Sequence, residues 1–168
     1  MMRGFVFTLG ILVSLVASAQ RMGYVDTQAL LKRHPMYVQA QAEMERLNNQ
    51  YHGEVQSLFE DADALRGQLE AERVLLTSGM ISEREKLIAN TLDSARTRQM
   101  RYFAPEGTLF SKRQELVEPI QSQIAGAIRE VARRKKLDFV FDKGSNLAIV
   151  YANESLDITN EVLQQLGF

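Results

Sequence analysis

Ala40, Met44, Leu47, Tyr51, Val55, Leu58, Ala62, Leu65 and Leu69 follow one another at steps of four or three residues. Such steps lay one apolar stripe along an α-helix. The doubled step of four at Tyr51–Val55 is a stutter, which locally relaxes a supercoil. The other faces carry charge, including Glu43, Glu45, Arg46, Asp61 and Arg66. The helix expected over 36–76 has 41 residues and reaches about 60 Å at 1.5 Å per residue. A helix with one stripe buries it against one partner and cannot build a globule of several layers. Gly53 and Gly67 each weaken the helix by about 1 kcal/mol relative to alanine, which so long a stripe outweighs.

Thr77-Ser78-Gly79 breaks the pattern, and Ser82-Glu83-Arg84-Glu85 fits the S-x-x-E capping box. In that box the two side chains satisfy exposed backbone N–H groups reciprocally, so a second helix is expected from near Glu83. Its stripe runs Ile88, Leu92, Ala95, Gln99 and Tyr102, then Leu109, Leu116, Ile120, Ile124, Ile128 and Val131. Glu106 and Arg113 interrupt it. Pro105 and Pro119 are expected to kink the helix rather than stop it, with Pro105 and Gly107 together the stronger candidate for a real break. Two long helices joined by a tight loop form a helical hairpin. The expected arm is 36–136, with its tip at about 77–82.

After Lys136 the period falls to about two. Asp138–Asp142 and Leu147–Ala152 flank a glycine-containing loop, which reads as a β-hairpin. Met22–Asp26 is the remaining strand candidate. Asp26 or Thr27 can cap a short helix over Thr27–Arg33 that His34-Pro35 ends. Asp157 or Thr159 can cap a last helix, Ile158–Leu166, that Gly167 stops. A lone two-stranded hairpin is marginal in water. The expectation is therefore a small β head formed by 20–35 and 137–168, with the helical hairpin inserted between its halves. The fold class expected is mainly α with a small β head (α+β).

That head has few residues, and the chain has no cysteine to staple it. Oligomerisation is the remaining way to complete so small a core, and open sheet edges favour it. The expected oligomerisation strands contain Tyr24, Val25, Phe139, Val140, Phe141, Ala148, Ile149, Val150 and Tyr151.

Arg3, the apolar run 4–16 and Ala17-Ser18-Ala19 make the three-part pattern of a signal peptide cut after Ala19. The run is shorter than the roughly 20 residues a spanning helix needs. The expected mature chain has 19 basic and 21 acidic residues. So near to neutral, it has no global steering toward nucleic acid or anionic lipid.

Three stretches carry a resemblance: "GYVDTQALLKRHPMYVQAQAEMERL", "PEGTLFSKRQELVEPIQ" and "LDFVFDKGSNLAIVYANESLDITNEVLQQLG". Their order and lengths resemble the Skp/OmpH family of periplasmic chaperones over essentially the whole mature chain. The resemblance implies a homotrimer whose β heads assemble a small body, with helical arms around a central cavity. It implies that unfolded outer-membrane β-barrel proteins are held there without ATP or any cofactor, in the periplasm. This chain lacks the strong positive charge of the family's familiar members.

No catalytic or metal pattern accompanies this. His34 reads as a linker residue and His52 as an arm-surface residue; the pair forms no ligand motif. Asp26, Asp138 and Asp142 read as strand-end caps, with no nucleophile beside them. Lys143-Gly144-Ser145 lacks phosphate-loop spacing. Arg133–Lys136 reads mainly as a solvated helix end suited to the dipole, or as a weak lipid or lipopolysaccharide contact. Leu75, Leu76, Met80 and Ile81 at the tip are client-contact candidates, although the same residues could staple the turn. A non-chaperone coiled-coil spacer of the cell envelope is the alternative function.

Overall fold

The computed structural model describes residues 20–145 and 149–168. In chain order the elements are β1 (Met22–Val25), α1 (Thr27–Arg33), α2 (Pro35–Glu72), a 3-10 turn (Arg73–Leu75), α3 (Ser78–Phe103), α4 (Thr108–Lys135), β2 (Phe139–Asp142), a second 3-10 turn (Glu154–Leu156) and α5 (Thr159–Leu166). They form two compact units: the segment up to Leu30 with Ile124–Phe168, and Leu31–Gln123. The division falls at 30/31 and 123/124. The last turns of α4 bury Ile124, Ala127 and Val131. They are also tied to α5 by a Lys135–Glu161 ion pair and an Arg134–Gln165 hydrogen bond of 3.0 Å.

In Leu31–Gln123 all nine stripe residues of α2 are buried or half-buried. α2 packs along α3, whose buried positions are Ile88 and Ala95. α3 starts at Ser78, a turn earlier than the capping box suggests. Thr77 supplies the cap instead, its hydroxyl oxygen accepting from the Met80 N–H at 3.4 Å. With an acceptor already in place, Gly79 at about 1 kcal/mol is too weak a breaker to delay the helix.

Pro105 and Gly107 do break the return helix, whereas α4 continues through Pro119. The Gly107 N–H donates to the Ala104 carbonyl at 2.8 Å. A Cβ on Gly107 would lie 2.8 to 3.0 Å from the carbonyl oxygens of Arg101, Tyr102 and Ala104. The turn therefore needs glycine for close approach of backbone. His34 links α1 to α2; it is 3% exposed, and its Nε2 lies 3.2 Å from the Gln123 side-chain oxygen. His52 is exposed.

In the other unit β1 and β2 pair in parallel, Met22 opposite Phe139 through Val25 opposite Asp142. Tyr24 also bridges to Asp157, and its carbonyl accepts from the Ile158 N–H at 2.9 Å. The core is Val25, Leu30, Val131, Ile158 and Val162. Asp26 caps α1 through the Ala29 N–H at 2.8 Å, and Gly167 ends α5 at φ 89°.

Among the described residues the second strand of the expected hairpin does not form. Ile149, Val150 and Tyr151 belong to no strand, and Ala148 lies outside the described residues. The physical reason lies in the turn that would have to fold the chain back onto β2. The turn after β2 is recruited to α1: the Asp142 carboxylate accepts from the Thr27 N–H at 3.1 Å, the Thr27 hydroxyl at 2.6 Å and the Gly144 N–H at 2.8 Å.

Replacing Gly107 by alanine is expected to cost more than about 1 kcal/mol of stability, because carbonyl oxygens occupy the space of the new Cβ. At Gly53 a Cβ meets nothing within 4 Å, and alanine there is expected to stabilise by about 0.4–1 kcal/mol. Urea unfolding of both variants checks the opposite signs.

Candidate interaction surfaces

Beside the two-stranded sheet lies a groove of about 440 Å³ whose walls include Met22, Tyr24, Phe141, Ile149, Tyr151 and Leu156. Parallel pairing sets it up: alternate side chains of a strand share one face, and Tyr24 and Phe141 stand opposite in register. Tyr24 and Val25 are buried and Val140 half-buried, whereas Phe139 and Phe141 are exposed. Val150 is 97% exposed and Tyr151 84%. The structure thus gathers Tyr24, Phe141, Ile149 and Tyr151 around one groove, with Val25 in the core beneath. Met22 and Leu156 also line the groove but escape sequence reasoning. Leu156 sits in a short 3-10 turn with no periodicity to mark it.

The tip of the α2–α3 turn exposes a second apolar group. Leu75 is 82% exposed and Met80 47%, whereas Leu76 and Ile81 are half-buried. Val74, 91% exposed, belongs to the same surface; its place just past the last stripe residue was the available signal.

A third surface is a cleft of about 390 Å³ between α2 and α4, with walls that include Tyr37, Ala40, Met44, Arg113 and Val117. Arg113 interrupts the return stripe where a leucine would otherwise close the seam. That interruption was visible in the sequence, but the cleft it accompanies was not.

The acidic residues at the strand ends are engaged structurally. Asp138 accepts from the Arg21 N–H at 2.8 Å, and Asp26 and Asp142 cap α1 and the adjoining turn as described. Among the described residues no three or more His, Cys, Asp or Glu side chains group to hold a metal ion. Nor is any described helix long and apolar enough to cross a membrane. Three members of the basic run have partners: Arg133 on Glu130, Lys135 on Glu161 and Arg134 on Gln165.

Burial, and then the neighbouring Asp157 and Glu154 charges, push the Tyr24 phenol above its usual range. A raised folded-state pKa favours the neutral phenol in the native state. The stability it lends is full below the ordinary phenol pKa and is lost as pH rises through the raised one. Thermal melts are accordingly expected to fall as pH climbs beyond about 10, the ordinary phenol value, and Tyr24→Phe to shrink that fall.

Residues 21–166 match the family model described as outer membrane protein (OmpH-like). An uncharacterised protein of Aquifex aeolicus (strain VF5) is 26% identical over 160 residues, covering 95% of this chain and 94% of that one. The fold is similar to the crystal structure of a proposed outer membrane chaperone (OmpH-like) from Caulobacter crescentus CB15. The TM-score is 0.73 at 15% identity, covering 88% of this chain and 83% of that one. Because the family match runs over residues 21–166, from β1 through α5, this chain belongs to the OmpH-like family of outer membrane proteins.

Proposed function

We propose that the protein is an ATP-independent holdase chaperone of the periplasm. It holds unfolded outer-membrane β-barrel proteins between helical arms and keeps them from aggregating. The carrying observation is the apolar groove beside the sheet, where Met22, Phe141, Ile149, Tyr151 and Leu156 leave large apolar side chains exposed. Soluble monomers rarely expose contiguous apolar patches of this kind, and such patches mark interaction sites. The occupants proposed are further copies of this chain, giving a homotrimer closed through the head. Family membership supports the assembly, and so does the outer edge of β2, which pairs with no strand among the described residues and is a template for further pairing.

The exposed tip residues and the α2–α4 cleft would then face the client. Each offers a small apolar area, so each contact is weak. Several weak contacts acting together raise retention without slowing release at any one of them. Methionines such as Met80 suit clients of varied sequence, because the thioether side chain repacks readily.

Light scattering on the mature chain is expected to give three times the monomer mass, with Phe141→Asp or Tyr151→Asp lowering it. An outer-membrane β-barrel protein diluted from urea is expected to stay clear when the chaperone is present in stoichiometric amounts without nucleotide. A monomeric wild-type chain would remove the trimer. Unchanged turbidity at about threefold excess would remove the holdase and favour an envelope spacer.

A further inference from the structure

Two weak points in the helices meet at one level of Leu31–Gln123. On α2, the stretch Tyr51–Val55 carries the stutter and Gly53. Opposite it, α3 ends at Phe103 and the Ala104–Gly107 turn leads into α4. Helices bend where the hydrogen-bond ladder is interrupted or a glycine loosens it. With both antiparallel helices weakened at the same height, the layer is less stiff there than elsewhere.

Side chains bridge that level. The Tyr51 and Tyr102 rings stack with centroids 4.1 Å apart and planes 9° from parallel. His52 lies 4.4 Å from the Phe103 ring. The Tyr102 hydroxyl donates to the Glu54 carboxylate at 2.7 Å, and Arg98 stands 3.9 Å from the same oxygen. Gln50 donates to the other Glu54 oxygen at 3.0 Å. On one side of this cluster α2 and α3 are closely packed. On the other, α2 and α4 face each other across the cleft lined by Tyr37, Met44 and Arg113.

We infer that this level is a joint in the arm and that Tyr51, Tyr102 and Glu54 form the clasp that holds it. With the clasp closed, α3 and α4 keep one angle and the cleft one width. With it open, α4 swings relative to α3 about the Ala104–Gly107 turn and the cleft width changes. The inference does not rest on the chaperone reading, since it concerns the mechanics of one chain.

The chain has no cysteine, so Glu85→Cys and Gln121→Cys provide two unique labelling sites. At 1.5 Å per residue they stand roughly 27 Å and 20 Å from the turn. Electron–electron double resonance reads the distance between nitroxides placed there. Labelled chains are diluted into excess unlabelled chain, so that only distances within one chain contribute. Wild type is expected to give one narrow distribution, Tyr51→Leu and Tyr102→Leu to broaden it about twofold, and Gly53→Ala to narrow it. A Tyr102→Leu distribution that overlaps wild type, with helical circular dichroism intact, overturns the clasp. Should Tyr102→Leu lose helical signal, Tyr102→Phe and Glu54→Gln replace it. They remove the hydroxyl–carboxylate tie and keep the side-chain bulk. Broadening in both supports the inference, and wild-type width in both overturns it.

Discussion

One stripe per helix governs this molecule. α2 can bury Ala40 through Leu69 only against another helix running alongside it. α3 meets that requirement from Tyr51 onward, burying Ile88 and Ala95, while α4 faces the Ala40–Met44 end of the stripe across the cleft. Neither helix has a second apolar face from which a further layer could grow. The consequences are a two-helix layer with most of its surface in water and a hydrophobic core confined to one seam. What the seam lacks in thickness it makes up in length, since each additional turn adds another pair of buried positions.

The other unit faces the opposite problem. Its core of Val25, Leu30, Val131, Ile158 and Val162 is compact, and polar ties surround it. Asp26 donates its backbone N–H to the Thr159 hydroxyl oxygen at 3.0 Å, while Asp157 accepts from the Thr159 N–H at 2.8 Å. These bonds knit β1 to the start of α5, so the small core is fixed by several partially buried hydrogen bonds as well as by packing. A two-stranded sheet alone would be marginal. Here helices on the same unit supply what the sheet cannot.

The long helices were legible because period is a strong signal when it persists. Tyr51 and Leu58 could be placed in the seam without coordinates. So could the interruption at Pro105 and Gly107, since proline cannot supply the N–H that the ladder needs. The start of α3 was misplaced because two capping patterns, at Thr77 and Ser82, lie close together in the chain, and local chemistry does not rank them. The strand expected at Ile149–Tyr151 illustrates a different limit. Alternation and β-branching describe a segment that suits a strand, yet a ladder requires a partner edge. Asp142 reads as a strand-end cap, and nothing in the sequence points to its capping of α1 through Thr27. That contact joins positions 115 apart in the chain. The α2–α4 cleft was hidden for a similar reason: sequence shows that Arg113 departs from the stripe but not how far two helices stand apart.

The parallel register that sets Met22 against Phe139 has a bearing on the order of events during synthesis. The ribosome releases β1 first, and its partner emerges more than a hundred residues later. Closing so long a loop is entropically demanding and slow, whereas the neighbouring turns of α2 and α3 can zip together locally. Until β2 is delivered, Tyr24 and Val25 have no ladder to join. A polypeptide built this way keeps its β core unassembled until nearly all of it has been made.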